Sequence, residues 1–182
     1  SDTFAAALNN RAIAYEKMKQ YEKALMDYEK AISVNPSFAE AYFNRANLWS
    51  QMENYNNALR DLEAIETEYK NSPAFYFSRG LVYSGLRDYP KAIEDFKESV
   101  KMDSSNPEGY INLATALFYL KDNEEAQKQL NKALEMDEEN VDALNLQALL
   151  QTRNGDYQEA IESINAALRR TSNPYFYNNR GY

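Results

Sequence analysis

The chain of 182 residues contains no cysteine and no histidine. Their absence removes the commonest general base, the thiolate nucleophile and the usual zinc ligands, and it leaves the redox compartment open. Glycine and proline are scarce, at five each. They nowhere cluster, so no flexible linker and no glycine-rich phosphate loop is expected; the "NGD" around Gly155 reads as a turn. No stretch approaches the roughly 18 apolar residues that a membrane span needs, and no basic segment followed by an apolar run opens the chain after Ser1. Basic residues are in the minority, 20 Lys and Arg against 28 Asp and Glu, giving a formal charge of −8. That balance opposes nonspecific attraction to nucleic acid or anionic lipid and favours a basic partner. The carboxylates offer no acid pair facing across a pocket: Glu124 and Glu125, or Glu138 and Glu139, fall at turns and helix starts, where acids suit water and the helix dipole. A catalytic role, a resident metal, a cofactor and membrane insertion are therefore not expected.

What the chain has in quantity is aromatic side chains, fifteen of them tyrosine, enough apolar surface to order itself into a core. It also has a period. Ala24, Ala58, Ala92, Ala126 and Ala160 recur at a constant spacing of 34 residues, and a sustained period of that length marks a repeat architecture. Other columns keep the same ruler with the offsets of two amphipathic helices per unit. The first helix carries Leu8, Ala12 and Tyr15; Tyr42, Ala46 and Trp49; Tyr76, Gly80 and Tyr83; then Tyr110, Ala114 and Leu117. The second carries Ala24, Tyr28 and Ala31, and so on to Ala160, Ile164 and Ala167. Small residues recur where helices approach closely and bulky ones where they interlock.

With these columns, and with short turns "KQY", "ENY", "RDY", "KDN" and "GDY" between the helices, the chain resembles the tetratricopeptide repeat family. The resemblance implies an all-α, right-handed superhelical solenoid of antiparallel helix pairs. One body over 1–182 is expected, with repeats at about 5–38, 39–72, 73–106, 107–140 and 141–173 and a partial sixth at 174–182. Gln151, Ile65 and Ser99 depart from the family pattern, and "ETEYKNS" suggests a longer second helix in the second repeat. Because Pro174–Tyr182 reads as the opening of a further unit, the natural chain is expected to continue, and the exposed end of the fifth unit is expected to pair with a neighbour.

Two polar columns carry the functional reading. Arg11, Arg45 and Arg79 appear in the repeats that also carry Asp27, Asp61 and Asp95; both columns vanish together in repeats four and five. Ion pairs Arg11–Asp27, Arg45–Asp61 and Arg79–Asp95 are expected, since an arginine on a packing side needs a carboxylate to offset its desolvation; binding of ligand anions is the alternative. The face opposite the packing side, which in this family lines the concave groove, carries Asn10, Asn44, Ser78 and Asn112 in one column. Amides both donate and accept, so such a row suits the backbone of an extended peptide. The row is similar to the asparagine ladder in the repeat domain of O-linked N-acetylglucosamine transferase, although Leu146 interrupts it.

Beside it, Phe43, Phe77 and Ile111, with Ile13, Leu81 and Leu149, place apolar side chains on the same face, and Phe118 and Tyr119 add to them. Glu16, Glu40, Glu108 and Asp142 border it. The expected function is a noncatalytic scaffold that binds a partner peptide with apolar and basic residues, anchored at Phe43, Phe77, Leu81 and Ile111. The family's clamp for chaperone C-termini is not expected, because of its residues only Asn44 is matched, with Asn9, Ile13, Ala74 and Ser78 at the other places. Self-association through terminal repeats, or service as an accessory module of a larger enzyme or envelope protein, are the other readings.

Overall fold

The computed structural model of the protein describes residues 2–170. The partial sixth unit expected at 174–182 lies outside the described residues. Among the described residues the chain forms eleven helices and no strand. The first helices of the five pairs are α1 (Asp2–Lys17), α3 (Ala39–Gln51), α6 (Pro73–Gly85), α8 (Pro107–Tyr119) and α10 (Val141–Asn154). The second helices are α2 (Tyr21–Val34), α4 (Tyr55–Ala64), α7 (Tyr89–Met102), α9 (Asn123–Met136) and α11 (Tyr157–Arg170), with a short additional turn, α5 (Glu66–Tyr69), after α4. No described helix is long and apolar enough to cross a membrane.

Local sequence sets where these helices start and stop. Ser72, Asn106 and Asn140 cap α6, α8 and α10 by accepting from Phe75, Glu108 and Ala143 amides, which satisfies donors that a helix start leaves orphaned. Pro73 and Pro107 follow two of these caps, at the first helical position, where the missing N–H costs nothing. Each first helix ends in the same way. Lys19, Glu53, Arg87, Lys121 and Gly155 adopt left-handed backbone, with φ of 58°, 59°, 60°, 65° and 91°. The next amide then bonds five residues back, as in Gln20 to the Tyr15 carbonyl and Asn54 to the Trp49 carbonyl. This is the Schellman closure that turns one helix sharply into the next.

The chain divides into two compact units, Ser1–Asp88 and Tyr89–Tyr182, with the boundary after α6. In the first unit the core is continuous between successive pairs. Ala5, Leu8 and Ala31 pack with Ala41 of α3, while Ala12, Ala24 and Tyr28 pack with Leu48 of the same helix. Farther along, Ala46, Ala58, Leu62 and Ile65 pack with Phe75 and Val82 of α6. Alanines let the backbones close up, and the large side chains fill what remains. In the second unit α8 contacts α7, α9 and α10; Leu144 and Ala167, then Ala148, Ala160 and Ile164, join α10 to α11.

The second repeat departs from the expected longer helix. The helix breaks at Ile65 (φ −116°, ψ 9°), and α5 restarts at Glu66. At the position where other repeats hold buried Ala31, Ser99, Ala133 and Ala167, the chain must seat the larger Ile65, itself buried. Turning the backbone there accommodates its extra volume, and it brings the Tyr69 ring onto Phe43 at 5.2 Å, stacked within 18°.

Candidate functional site

In the first unit the arginine and aspartate columns meet. Arg11 holds Asp27 through Nε (2.6 Å) and Nη2 (2.7 Å), and Arg45 holds Asp61 through the same two nitrogens at 2.7 Å each. Both are two-pronged pairs whose carboxylates are buried, the geometry that best offsets desolvation. The Arg45 guanidinium, 17 % exposed, also lies 5.7 Å from the centre of the Tyr42 ring. Burial works against its charge, but the Asp61 carboxylate outweighs it and the pKa is raised. Arg11 is 58 % exposed. Arg79 donates to Glu66 of α5 at 2.7 Å and lies over the Phe75 and Tyr76 rings, so α5 supplies a carboxylate that the column pattern does not contain. Asp95 is buried in the second unit.

The polar face of α1, α3 and α6 is partly occupied by its own contacts. Asn9, buried beside the exposed Asn10, donates to Glu40 at 3.1 Å and accepts from Asn44 Nδ2 at 3.0 Å. Asn44 thus has one donor committed within the protein and retains its carbonyl oxygen as a free acceptor. Glu16 accepts from the buried Tyr28 hydroxyl at 3.1 Å; burial first, and then the negative charge of Glu16, push the phenol well up, keeping it a donor. Phe43, Phe77, Ser78 and Leu81 are half-buried. Phe43 carries the Tyr69 ring on its face, which makes it part of the core rather than a free anchor.

Between the same three helices lies a cleft of about 390 Å³, lined by Glu16, Asn47, Ser50, Gln51, Ser78 and Leu81. Of the residues expected at the site, Ser78 and Leu81 line it. Sequence reading missed Asn47, Ser50 and Gln51. Their signal was available, since they occupy successive turns of α3 and are polar or small where an aliphatic would have sealed the gap.

In the second unit two expectations are corrected. Ile111, expected as an exposed apolar anchor, is 6 % exposed, and Phe118 is buried as well. The reason is coverage of α8 by α7, α9 and α10. Phe118 lies under Arg153, whose guanidinium carbon is 3.4 Å from the ring centre and whose Nη1 donates to the Phe118 carbonyl and to Asn123. Asn112 turns its amide to the Glu108 carbonyl of its own helix at 2.9 Å. Tyr119 is exposed and stacks on Tyr89 at 4.9 Å.

A chain of paired helices with this period, closed by Schellman turns and packed through alanine columns, defines a class: helical-repeat proteins that present the faces of their first helices. The chain belongs to the tetratricopeptide repeat (TPR) family, whose repeat pattern matches residues 5–38, 73–106 and 111–174. No curated protein sequence matches it significantly. Among solved structures it is similar to MamA protein (TM-score 0.81, 14 % identity, 97 % of each chain covered). It is also similar to pilF of Pseudomonas aeruginosa (TM-score 0.81, 19 % identity, covering 96 % of this chain and 79 % of that one). A third is YrrB, a TPR protein with an unusual peptide-binding site (TM-score 0.75, 20 % identity, covering 93 % and 87 %). These likenesses establish a TPR-like helical solenoid fold and, with the family, a protein-interaction scaffold.

Proposed function

We propose that the protein is a noncatalytic scaffold which holds an extended segment of a partner protein along α1, α3 and α6, with the cleft at Ser78 and Leu81 as its centre. The observation that carries this reading is the cleft itself, an open space between three helices whose lining combines one apolar wall, Leu81, with hydroxyl, amide and carboxylate groups. Amides and hydroxyls suit a peptide backbone. Leu81 suits an apolar side chain, and Glu16 and Glu40, neither held by a cation, suit a basic neighbour. Asn10, exposed on α1, and the Asn44 carbonyl extend the polar wall. Phe77, half-buried on α6, is a further apolar candidate, whereas Phe43 carries the Tyr69 ring. In the second unit Asn112 is the remaining polar candidate, whereas Ile111 serves packing.

The test is peptide display against the wild-type chain and against Leu81→Arg, which fills the cleft and reverses its chemistry without touching the core alanines. Enrichment of basic–apolar peptides on the wild type alone is expected. Equal enrichment on both proteins, or none on either, contradicts the reading.

A further inference from the structure

Among the described residues, large apolar side chains left exposed include Met18, Met52, Leu86 and Leu120. These four are separated by 34 residues each, so they are one repeat position, the last residue before each left-handed turn. Scattered apolar residues on a surface need no explanation, but exposure that recurs at one repeat position does. The residue that follows is charged in all four turns: Lys19, Glu53, Arg87 and Lys121, each holding a positive φ that glycine would adopt without strain. The fifth turn breaks both rules at once, with polar Asn154 followed by Gly155. Exposed apolar residue and strained charged residue therefore occur together and disappear together, which helix closure alone does not require, since the fifth turn closes with the same hydrogen bonds.

In the first unit this edge is concave. A cleft of about 470 Å³, separate from the groove described above, is lined by Lys19, Gln20, Tyr21, Glu22, Lys23 and Met52. Met18, 63 % exposed, stands next to it in the chain. Lys23 donates to Gln20 and lies over the Tyr15 ring at 5.5 Å; Lys19 makes no side-chain bond. Neither lysine is neutralised by a carboxylate, and only Glu22 opposes them in the cleft. In a chain whose net charge is −8, this leaves a local cationic pair beside an apolar floor.

We propose that the turn edge of the first unit is a second docking surface, which takes a partner segment presenting carboxylates beside apolar side chains. Its charge preference is the reverse of that of the groove on α1, α3 and α6, so one chain would hold two chemically distinct partners. The apolar side chain of the partner lies against Met52 and Tyr21, and its carboxylate meets Lys19 and Lys23.

The five methionines, all exposed, provide the test. With 13C-labelled methionine methyls, Met18 and Met52 report on the edge, while Met26 and Met136 on second helices serve as controls. The probes are synthetic peptides alternating Glu with Leu, Lys with Leu, and Glu with Ser. The Glu–Leu peptide is expected to shift Met18 and Met52 alone, and the other two to bind at least about tenfold more weakly. Reversing both charges, Lys19→Glu with Lys23→Glu, is expected to abolish the shifts while leaving the fold intact, because Glu53 already occupies the same backbone position one turn later. Leu81→Arg is expected to leave them unchanged. The proposal is overturned if the Lys–Leu peptide shifts Met18 and Met52 equally, if no peptide does, or if the charge-reversed protein binds as before. It is also overturned if dilution of the protein alone moves these signals, which would make a second copy the occupant.

Discussion

Arg45 donates two hydrogen bonds to the Asp61 carboxylate inside the protein, and the consequence of separating them follows from burial. Asp61→Ala leaves a mostly covered guanidinium without its counter-charge and is expected to cost about 3–5 kcal/mol, read as a loss in denaturant unfolding. Replacing both residues by Met and Leu is expected to recover most of that loss. Asp27→Ala should cost less, because Arg11 can turn to water. The turns offer the opposite kind of change. Lys121 holds φ of 65°, so Lys121→Gly is expected to raise stability by about 1 kcal/mol, whereas Gly155→Ala lowers it by a similar amount, both read from thermal unfolding. At this scale the Arg11–Asp27 and Arg45–Asp61 pairs were legible, since two residue types that come and go together imply contact. The Asn44–Asn9–Glu40 chain was not, because it joins consecutive repeats at positions whose neighbours differ from one unit to the next.

Helix limits followed from sequence wherever a local signal wrote them. The 34-residue recurrence put repeat starts at Pro73, Pro107 and Val141, where the helices begin behind the caps Ser72, Asn106 and Asn140. The break after α4 escaped the pattern. The break falls at Ile65, buried where other repeats hold the smaller Ala31, Ser99, Ala133 and Ala167, and packing between helices is not written in the local composition of "ETEYKNS". A related close approach occurs where α4 begins. A methyl on Gly85 would stand 2.3 Å from the Tyr55 ring, so Gly85→Ala must displace Tyr55 and with it the start of α4. The expected cost is about 1–3 kcal/mol. Tyr55→Ala in the same protein should relieve the clash, so the pair should prove non-additive in a double-mutant cycle.

For the molecule as a whole, the period was enough to give a helical-repeat scaffold, because every repeat writes the same packing rule. Exposure was the part they could not give. Phe43, Ile111 and Leu81 look alike on a helical wheel, yet one carries Tyr69, one is sealed by three helices, and one borders an open cleft. What distinguishes them is contributed by other helices, and so lies outside any local window. The central claim is that the cleft between α1, α3 and α6 holds a partner segment, and an NMR titration with a display-selected peptide tests it most directly. The account predicts shifts at the side-chain amides of Asn47 and Gln51 and at the backbone amides of Ser78 and Leu81, lost in Leu81→Arg. Shifts confined to the second helices, or unchanged by that substitution, would contradict it.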